Sequence, residues 1–326
     1  MTQPSLLLLV GPTGVGKTAV AVELCELLNG EIVSADSMQI YRRCDIGTAK
    51  PSPHERARAV HHLIDIHEPT ERYSAAEWAI DAGRAIEDIV SRGRQPIIVG
   101  GTGFYLRALL QPESLAAAPP NVALRTHLEH EAAERGAAHL HDRLAQLDAA
   151  AAQRLHPNDV RRVIRAIEVA VAPGETRSRP SLIPRPLPLI FGLDMPRDIL
   201  YQRLEARIDT MLEMGFLDEL CALSQAGVPP DAPALQGVGY RQMLPVLSDP
   251  HDPHLLARCV ALWKRDTRRY AKRQLTWFRH QLPVRWQHLA AATAPLETAR
   301  TIARDWQDQA RSPRNETTNQ IAESNV

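Results

Sequence analysis

An uninterrupted apolar run, Leu6 to Val10, leads straight into a glycine-rich stretch, and an amphipathic segment from Ala19 to Leu28 follows. A short continuous apolar run reads as a strand buried on both faces, and the periodic segment after it as a helix. The pattern recurs. Glu31-Ile32-Val33-Ser34, His61 to Ile66 and Pro96-Ile97-Ile98-Val99 read as further short strands. Ahead of the last of these, Ser74 is followed three residues on by Glu77, a capping box. The helix it opens carries Trp78, Ile80, Ala85, Ile86 and Ile89 at near-helical spacing and stops at Gly93. Strands alternating with helices predict an α/β fold, a mostly parallel sheet flanked by helices.

From Gln111 the pattern changes. Residues 112–186 are rich in Ala, Glu, Arg and His with few large apolar side chains, which predicts a mainly helical insertion with a thin core. Pro173 to Pro188 reads as a connecting loop. Leu189 to Leu193 then restores a buried strand, so the sheet resumes. A helix from Asp198 carries Leu200, Leu204, Ile208, Met211 and Leu212, and a long helix runs from about Leu255 to Gln281. The expected organisation is a discontinuous core, 1–111 and 187–310, around the insertion 112–186, with a polar, disordered tail at 311–326.

Composition narrows this little. Hydrophobic residues make up 44% of the 326, a globular proportion, and Lys+Arg and Asp+Glu both number 38, so no global attraction to nucleic acid follows. The four cysteines are scattered without a C-x-x-C pair, which fits reduced thiols better than disulfides or a zinc site. No basic leader precedes the first apolar run, and that run is too short to span a membrane. A soluble, cytoplasmic protein is expected.

The candidate chemistry begins where the first strand ends. Gly11-Pro12-Thr13-Gly14-Val15-Gly16-Lys17-Thr18 reads G-x-x-x-x-G-K-T between strand and helix, the setting that a phosphate-cradling loop requires. Its glycines allow backbone N–H groups to converge on phosphate oxygens, Lys17 reaches the terminal phosphates, and Thr18 is the expected Mg²⁺ ligand. Asp36 follows the second strand, where open α/β sheets bind ligands. Gly100-Gly101-Thr102-Gly103 ends the third buried strand and allows close backbone approach. Arg203 and Arg207, four apart, stand on one side of a helix; they suit bidentate binding of a diphosphate, or are surface charges. Arg161, Arg162 and Arg165 share roughly one face, either contacting phosphates or pairing with Glu168. The adjacent His61 and His62 project to opposite sides and make a poor metal pair. Charge missing from the net total appears in the last long helix. Lys264, Arg265, Arg268, Arg269, Lys272, Arg273 and Arg279 face a single acid, Asp266, with Tyr270, Trp277 and Phe278 interleaved. Such a helix suits an RNA backbone and exposed bases, or packs with a solvated basic face.

Taken together, GPTGVGKT (11–18), DSMQIY (36–41), GTAKP (47–51), HHLID (61–65), VGGTGFYLRALL (99–110), HPNDVRRVIRAIEV (156–169), GVGYRQ (237–242) and RRYAKRQLTWFR (268–279) resemble the bacterial tRNA dimethylallyltransferases. The blocks span roughly residues 5 to 285 in family order. The resemblance implies a P-loop NTPase-like core and transfer of a dimethylallyl group from dimethylallyl diphosphate to N6 of the adenosine 3′ of the tRNA anticodon, with release of diphosphate. By similarity Asp36 is the general base, Thr13 and Thr102 line the reaction channel, and one of Arg203 and Arg207 binds the diphosphate, with Arg207 preferred. Asp36, Ser37, Met38 and Gln39, with Thr102, resemble the segments that hold the flipped target base. Arg161, Arg162, Val163, Ile164 and Arg165 resemble anticodon stem-loop contacts. So do Gln236, Gly237, Val238, Gly239, Tyr240 and Arg241, and the block Lys272, Arg273, Gln274, Leu275, Thr276, Trp277, Phe278 and Arg279. The implied cofactor is Mg²⁺ and the implied partners are the tRNA anticodon stem-loop and dimethylallyl diphosphate, with no membrane and the chain acting as a monomer. Val15 is bulkier than the residue usual in this loop, and Ala172-Pro173-Gly174 replaces a usual Thr-Gly turn. The zinc finger of eukaryotic relatives has no counterpart after His288. The alternatives are an isopentenyltransferase acting on free adenine nucleotides and a P-loop kinase or ATPase.

Overall fold

The computed structural model describes residues 6–112, 121–172, 188–290 and 292–311. Six strands form one sheet: β1 (Leu7–Val10), β2 (Gly30–Ala35), β3 (His61–His62), β4 (Gln95–Gly100), β5 (Leu189–Asp194) and β6 (Arg285–His288), in the order β3-β2-β4-β1-β5-β6. Every pairing is parallel; β1 lies centrally, with Leu8 opposite both Ile98 and Ile190. All residues of β1, β2, β4 and β5 are buried, which is why these strands appear in the sequence as apolar runs without alternation.

The helices of this unit are α1 (Lys17–Leu28), α2 (Pro53–Arg58), α3 (Ala75–Ser91) and α4 (Gly103–Leu110). A second compact unit, Gln111–Ser181, holds α5 (Val122–Arg135), α6 (Ala137–Leu147), α7 (Ala149–Arg154) and α8 (Val160–Val171). The first unit, Met1–Leu110 with Leu182–Val326, continues with α9 (Arg197–Glu213), α10 (Phe216–Gln225), α11 (Tyr240–Met243), α12 (Pro253–Gln281) and α13 (Pro295–Arg311). The second unit's core is thin: Leu128, Leu140, Leu144, Ala151, Ala152, Val163, Ile164 and Ile167. Its buried Glu168 accepts from the Asn121 backbone N–H and from Arg125 Nη2.

The capping box at α3 forms with both bonds, Glu77 N–H to Ser74 Oγ and Ser74 N–H to Glu77 Oε2. A second, Ser52 with Glu55, opens α2. Several expectations need correction. Ile80 is on the exposed side of α3, the buried face being Trp78, Ala79, Ala82, Gly83, Ile86 and Ile89. The strand read over His61 to Ile66 ends at His62, because Leu63 and Asp65 have φ of 61° and 57°, which no strand accommodates. The last long helix begins earlier, where the Asp252 side chain accepts the His254 N–H. Strand β6 and helix α13 are additions, α13 packing Ala299, Ile302 and Ala303 against the core that includes α1. Arg311 ends α13, while 312–326 and the connecting loop 173–187 lie outside the described residues. None of the four cysteines is in a disulfide, and no described helix is long and apolar enough to cross a membrane.

Candidate active site

Residues 11–18 join the carboxyl end of β1 to the start of α1. Gly11, Gly14 and Gly16 have φ of 145°, 81° and 102°, conformations that L side chains rarely adopt. Space also demands glycine, since a Cβ on Gly11 would lie 2.6 Å from the Leu193 carbonyl and one on Gly14 2.5 Å from Leu204 Cδ2. Gly16 is the N-cap of α1, so the loop ends at that helix's positive pole. The bulky Val15 is 1% exposed and belongs to the core with Leu7, Leu9 and Leu204. Lys17 Nζ donates to the carbonyls of Gly11 (3.0 Å) and Pro12 (2.8 Å). Burial pushes its pKa down to about 8; the Asp36 charge opposes the shift and the Arg207 charge adds to it.

Asp36 lies one residue past β2. Its Oδ1 accepts the backbone N–H groups of Met38 (2.9 Å) and Gln39 (3.3 Å), an Asx-type turn that fixes the carboxylate. Gln39 Nε2 donates to the carbonyls of Thr48 and Ala49, tying this segment to the 47–51 turn, where Ala49 holds a φ of 51°. Strands β2 and β4 end in contact: a Cβ on Gly100 would overlap the Ala35 carbonyl. The Thr102 N–H donates to that carbonyl (3.1 Å), and Thr102 Oγ1 accepts the Ser37 N–H (3.0 Å). Lys17, Thr18, Ser34, Asp36, Gln39 and Gly100 therefore line one pocket.

The two arginines reach the loop from α9. Arg207 Nη2 donates to Thr13 Oγ1 at 2.9 Å, while its Nε is buried without a partner. Burial lowers the guanidinium pKa, the Asp36 charge opposes this, and the Arg203 charge adds to it. Arg203 Nη2 lies 3.8 Å from the position of a Cβ on Gly16, farther along the same loop. A buried donor without an acceptor costs roughly 1–3 kcal/mol, and an anion in the loop would relieve it.

Helix α12 supplies a third wall. Its Gln274, 6% exposed, accepts the Thr13 N–H through Oε1 (2.8 Å) and donates from Nε2 to the Gly101 carbonyl (2.9 Å). Burial raises the Tyr270 pKa and the Asp36 charge adds to it, while hydrogen bonding to Thr102 and Gln274 works against the rise. Trp277 packs where a Cβ on Gly103 would stand and faces the exposed Phe104, ring centroids 6.5 Å apart.

The expected RNA segments divide by helical phase. In 272–279, Lys272, Arg273, Thr276 and Arg279 are exposed, Leu275 and Trp277 half-buried, and Gln274 and Phe278 buried. Successive helical residues turn by roughly 100°, so no contiguous block presents one face. Arg279 also pairs with Asp194 Oδ2 at 2.6 Å. In the second unit Val163 and Ile164 are core residues, Arg165 pairs with Glu168, Arg162 with Asp159, and Arg161 is exposed. In 236–241 only Gln236 and Arg241 are exposed, Val238 being half-buried and Gly237 and Gly239 buried. Tyr240 is fully buried, its hydroxyl donating to Glu219 Oε1 at 2.5 Å. Glu219, which also accepts the N–H groups of Asp45, Ile46 and Gly47, had no signal in the sequence pattern, and nor had the Gln274 amide's role.

Among the described residues no group of three or more His, Cys, Asp or Glu is placed to hold a metal ion. Thr18 lines the pocket, and a lone hydroxyl fits Mg²⁺ only when phosphate oxygens and waters complete its shell, which is how Mg²⁺ commonly binds.

A family model described as IPP transferase matches residues 39–281. A protein of Thermomicrobium roseum named tRNA dimethylallyltransferase is 48% identical over 282 residues, covering 85% of this chain and 84% of its own. One of the same name from Stenotrophomonas maltophilia is 48% identical over 297 residues, 87% and 92% of the two chains. Among solved structures, the full-length tRNA isopentenylpyrophosphate transferase of Bacillus halodurans superposes with a TM-score of 0.68 at 38% identity, covering 95% of this chain and 98% of that one. A eukaryotic dimethylallyltransferase acting on tRNA superposes with a TM-score of 0.76 at 28% identity, covering 96% and 81%.

Proposed function

The chain belongs to the IPP transferase family, and on that premise we infer that it is a tRNA dimethylallyltransferase. It moves a dimethylallyl group from dimethylallyl diphosphate to N6 of the adenosine 3′ of the anticodon and releases diphosphate. The observation that carries this reading at the site is Arg207. Its guanidinium is bonded to Thr13 in the phosphate loop, its buried Nε lacks an acceptor, and the Asp36 charge acts on it.

Residues 11–18 hold the diphosphate of the donor. As the allylic C1–O bond breaks, negative charge grows on the leaving diphosphate, and loop amides, Lys17, Arg207 and Arg203 stabilise it. Lys17 retains one ammonium proton beyond its bonds to the Gly11 and Pro12 carbonyls, enough for a phosphate oxygen. Bound through Thr18, Mg²⁺ would neutralise diphosphate charge. On the acceptor side Asp36 is the general base. Its Oδ1 is held by two backbone amides, and Oδ2, without a hydrogen-bond partner among the described residues, takes the N6 proton as the C1–N bond forms. Ser37, Met38, Gln39 and Thr102 hold the extruded base, and Thr13 and Thr102 flank the channel.

In the first unit exposed Lys272, Arg273 and Arg241 attract stem-loop phosphates and Gln236 offers a neutral amide; in the second unit Arg161 and Arg162 carry the exposed positive charge. The chain works in the cytoplasm as a monomer. Incubation with Mg²⁺, dimethylallyl diphosphate and an anticodon stem-loop should add the mass of one dimethylallyl group to the adenosine. ATP hydrolysis without diphosphate release from the allylic donor, or modification of AMP in preference to the stem-loop, would overturn the reading.

A further inference from the structure

The donor wall and the acceptor wall of the site meet through a single buried amide. Gln274 accepts the Thr13 N–H on one side and donates to the Gly101 carbonyl on the other, at 2.8 and 2.9 Å, linking segments 261 and 173 residues away in sequence. Both partners adjoin the working groups. The Thr13 hydroxyl receives Arg207, and Thr102, next to Gly101, receives the Ser37 N–H beside Asp36. Gly101 has no Cβ at a place where one would overlap the Gln274 amide nitrogen, so the fit is reciprocal.

We propose that Gln274 is a positioning residue for transfer: its amide fixes the separation between the phosphate loop and the strand-4 loop, and so the distance from the donor carbon to the base held at Asp36. The proposal rests on the transfer reading above and adds a role that RNA contact does not supply. Chemistry explains the residue type. An amide presents an acceptor and a donor in one plane. A glutamate would still accept from Thr13 but would set a carboxylate oxygen against the Gly101 carbonyl. A methionine would fill the volume and make neither bond. The residue also joins the two substrates' sites, because exposed Arg273 is its immediate neighbour on α12. Small displacements of reacting groups are costly in rate, which makes a clamp of this kind measurable.

The test compares wild-type protein with Gln274→Met, Gln274→Glu and Gly101→Ala, the last displacing the amide from outside α12. Single-turnover transfer to an anticodon stem-loop, KM for dimethylallyl diphosphate, stem-loop Kd and melting temperature are measured for each. The expected pattern for folded variants is a transfer rate lower by roughly 10–100-fold, with stem-loop Kd within about threefold of wild type. A purely structural role would lower the melting temperature and leave the rate per folded molecule unchanged. Folded Gln274→Met and Gly101→Ala proteins that transfer within about threefold of wild type would overturn the clamp. Should neither variant fold, hydrogen exchange at the wild-type Thr13 amide decides: slow exchange supports the bond to Gln274, and fast exchange refutes it. A wild-type protein that transfers nothing sinks the transfer reading instead, so the two failures are distinguishable.

Discussion

Glu31 and Asp36 stand near opposite ends of β2, and their surroundings differ in kind. Glu31, with 1% of its side chain exposed, is paired with Arg92, with Arg94 Nη1 at 2.9 Å and with His62 Nε2 at 2.7 Å. The Arg92 hydrogen bond leads in holding its pKa down to about 2, against the opposing effect of burial. Asp36 has no ion pair among the described residues. It is held by two backbone amides, and the nearby cations Lys17 and Arg207 bond to carbonyls and a hydroxyl instead. A carboxylate saturated with cations cannot take up a proton near neutral pH. Asp36 instead is fixed through one oxygen, and its other oxygen has no hydrogen-bond partner among the described residues. The charge of Glu31 is closed off by its partners, and that of Asp36, the base in the reading proposed above, is left open.

Breaking the closed end should cost the most. Glu31→Ala leaves Arg92, Arg94 and His62 around an empty site and should lower unfolding stability by about 3 kcal/mol, read by urea denaturation. Because Glu31 titrates in the folded state below its ordinary 4.5, its contribution is present above that pH and fades as pH falls toward about 2. The variant's acid limb should accordingly be flatter. At the open end, Asp36→Ala should reduce transfer by a factor on the order of 10² while stem-loop binding and melting temperature hold. Undiminished single-turnover transfer would remove Asp36 as the base. Arg207→Ala should raise KM for dimethylallyl diphosphate by about tenfold and leave stem-loop affinity alone. A smaller effect concerns Lys17. Its ammonium form dominates below its pKa of about 8 and is lost above, so donor affinity should fall a few-fold as pH rises through that value. Lys17→Arg should remove the inflection. Least of all, Arg273→Ala should reduce the slope of log Kd against log salt by about 1.

The same contrast explains what the sequence revealed. The glycine loop between β1 and α1, the buried strands and the Ser74–Glu77 cap were legible because each is a local pattern with a local cause. The place of Asp36, one residue past a strand end, was legible too. Which of Arg203 and Arg207 bonds to Thr13 was not, because both lie on the loop side of α9 and only the third dimension puts Arg207 there. Strand β6, Arg285-Trp286-Gln287-His288, gave no signal: among the described residues it pairs only with β5, its residues are half-buried or exposed, and its sequence is polar apart from Trp286. The anticodon-loop blocks carried over as contiguous strings, but helical phase divides them, turning Val163, Ile164, Gln274 and Phe278 inward. Nothing in Gln274 alone distinguishes a buried clamp from a surface amide.

The span between Gln274 and Thr13 has a consequence in time. The phosphate loop leaves the ribosome ahead of its clamp, which follows 261 residues later. At about 5–20 residues per second, that is a delay on the order of 10–50 s. The central strand must likewise wait for β5, which begins at Leu189. A nascent chain therefore carries an intact phosphate-loop sequence before it carries a working enzyme, and catalytic competence waits for α12 to dock.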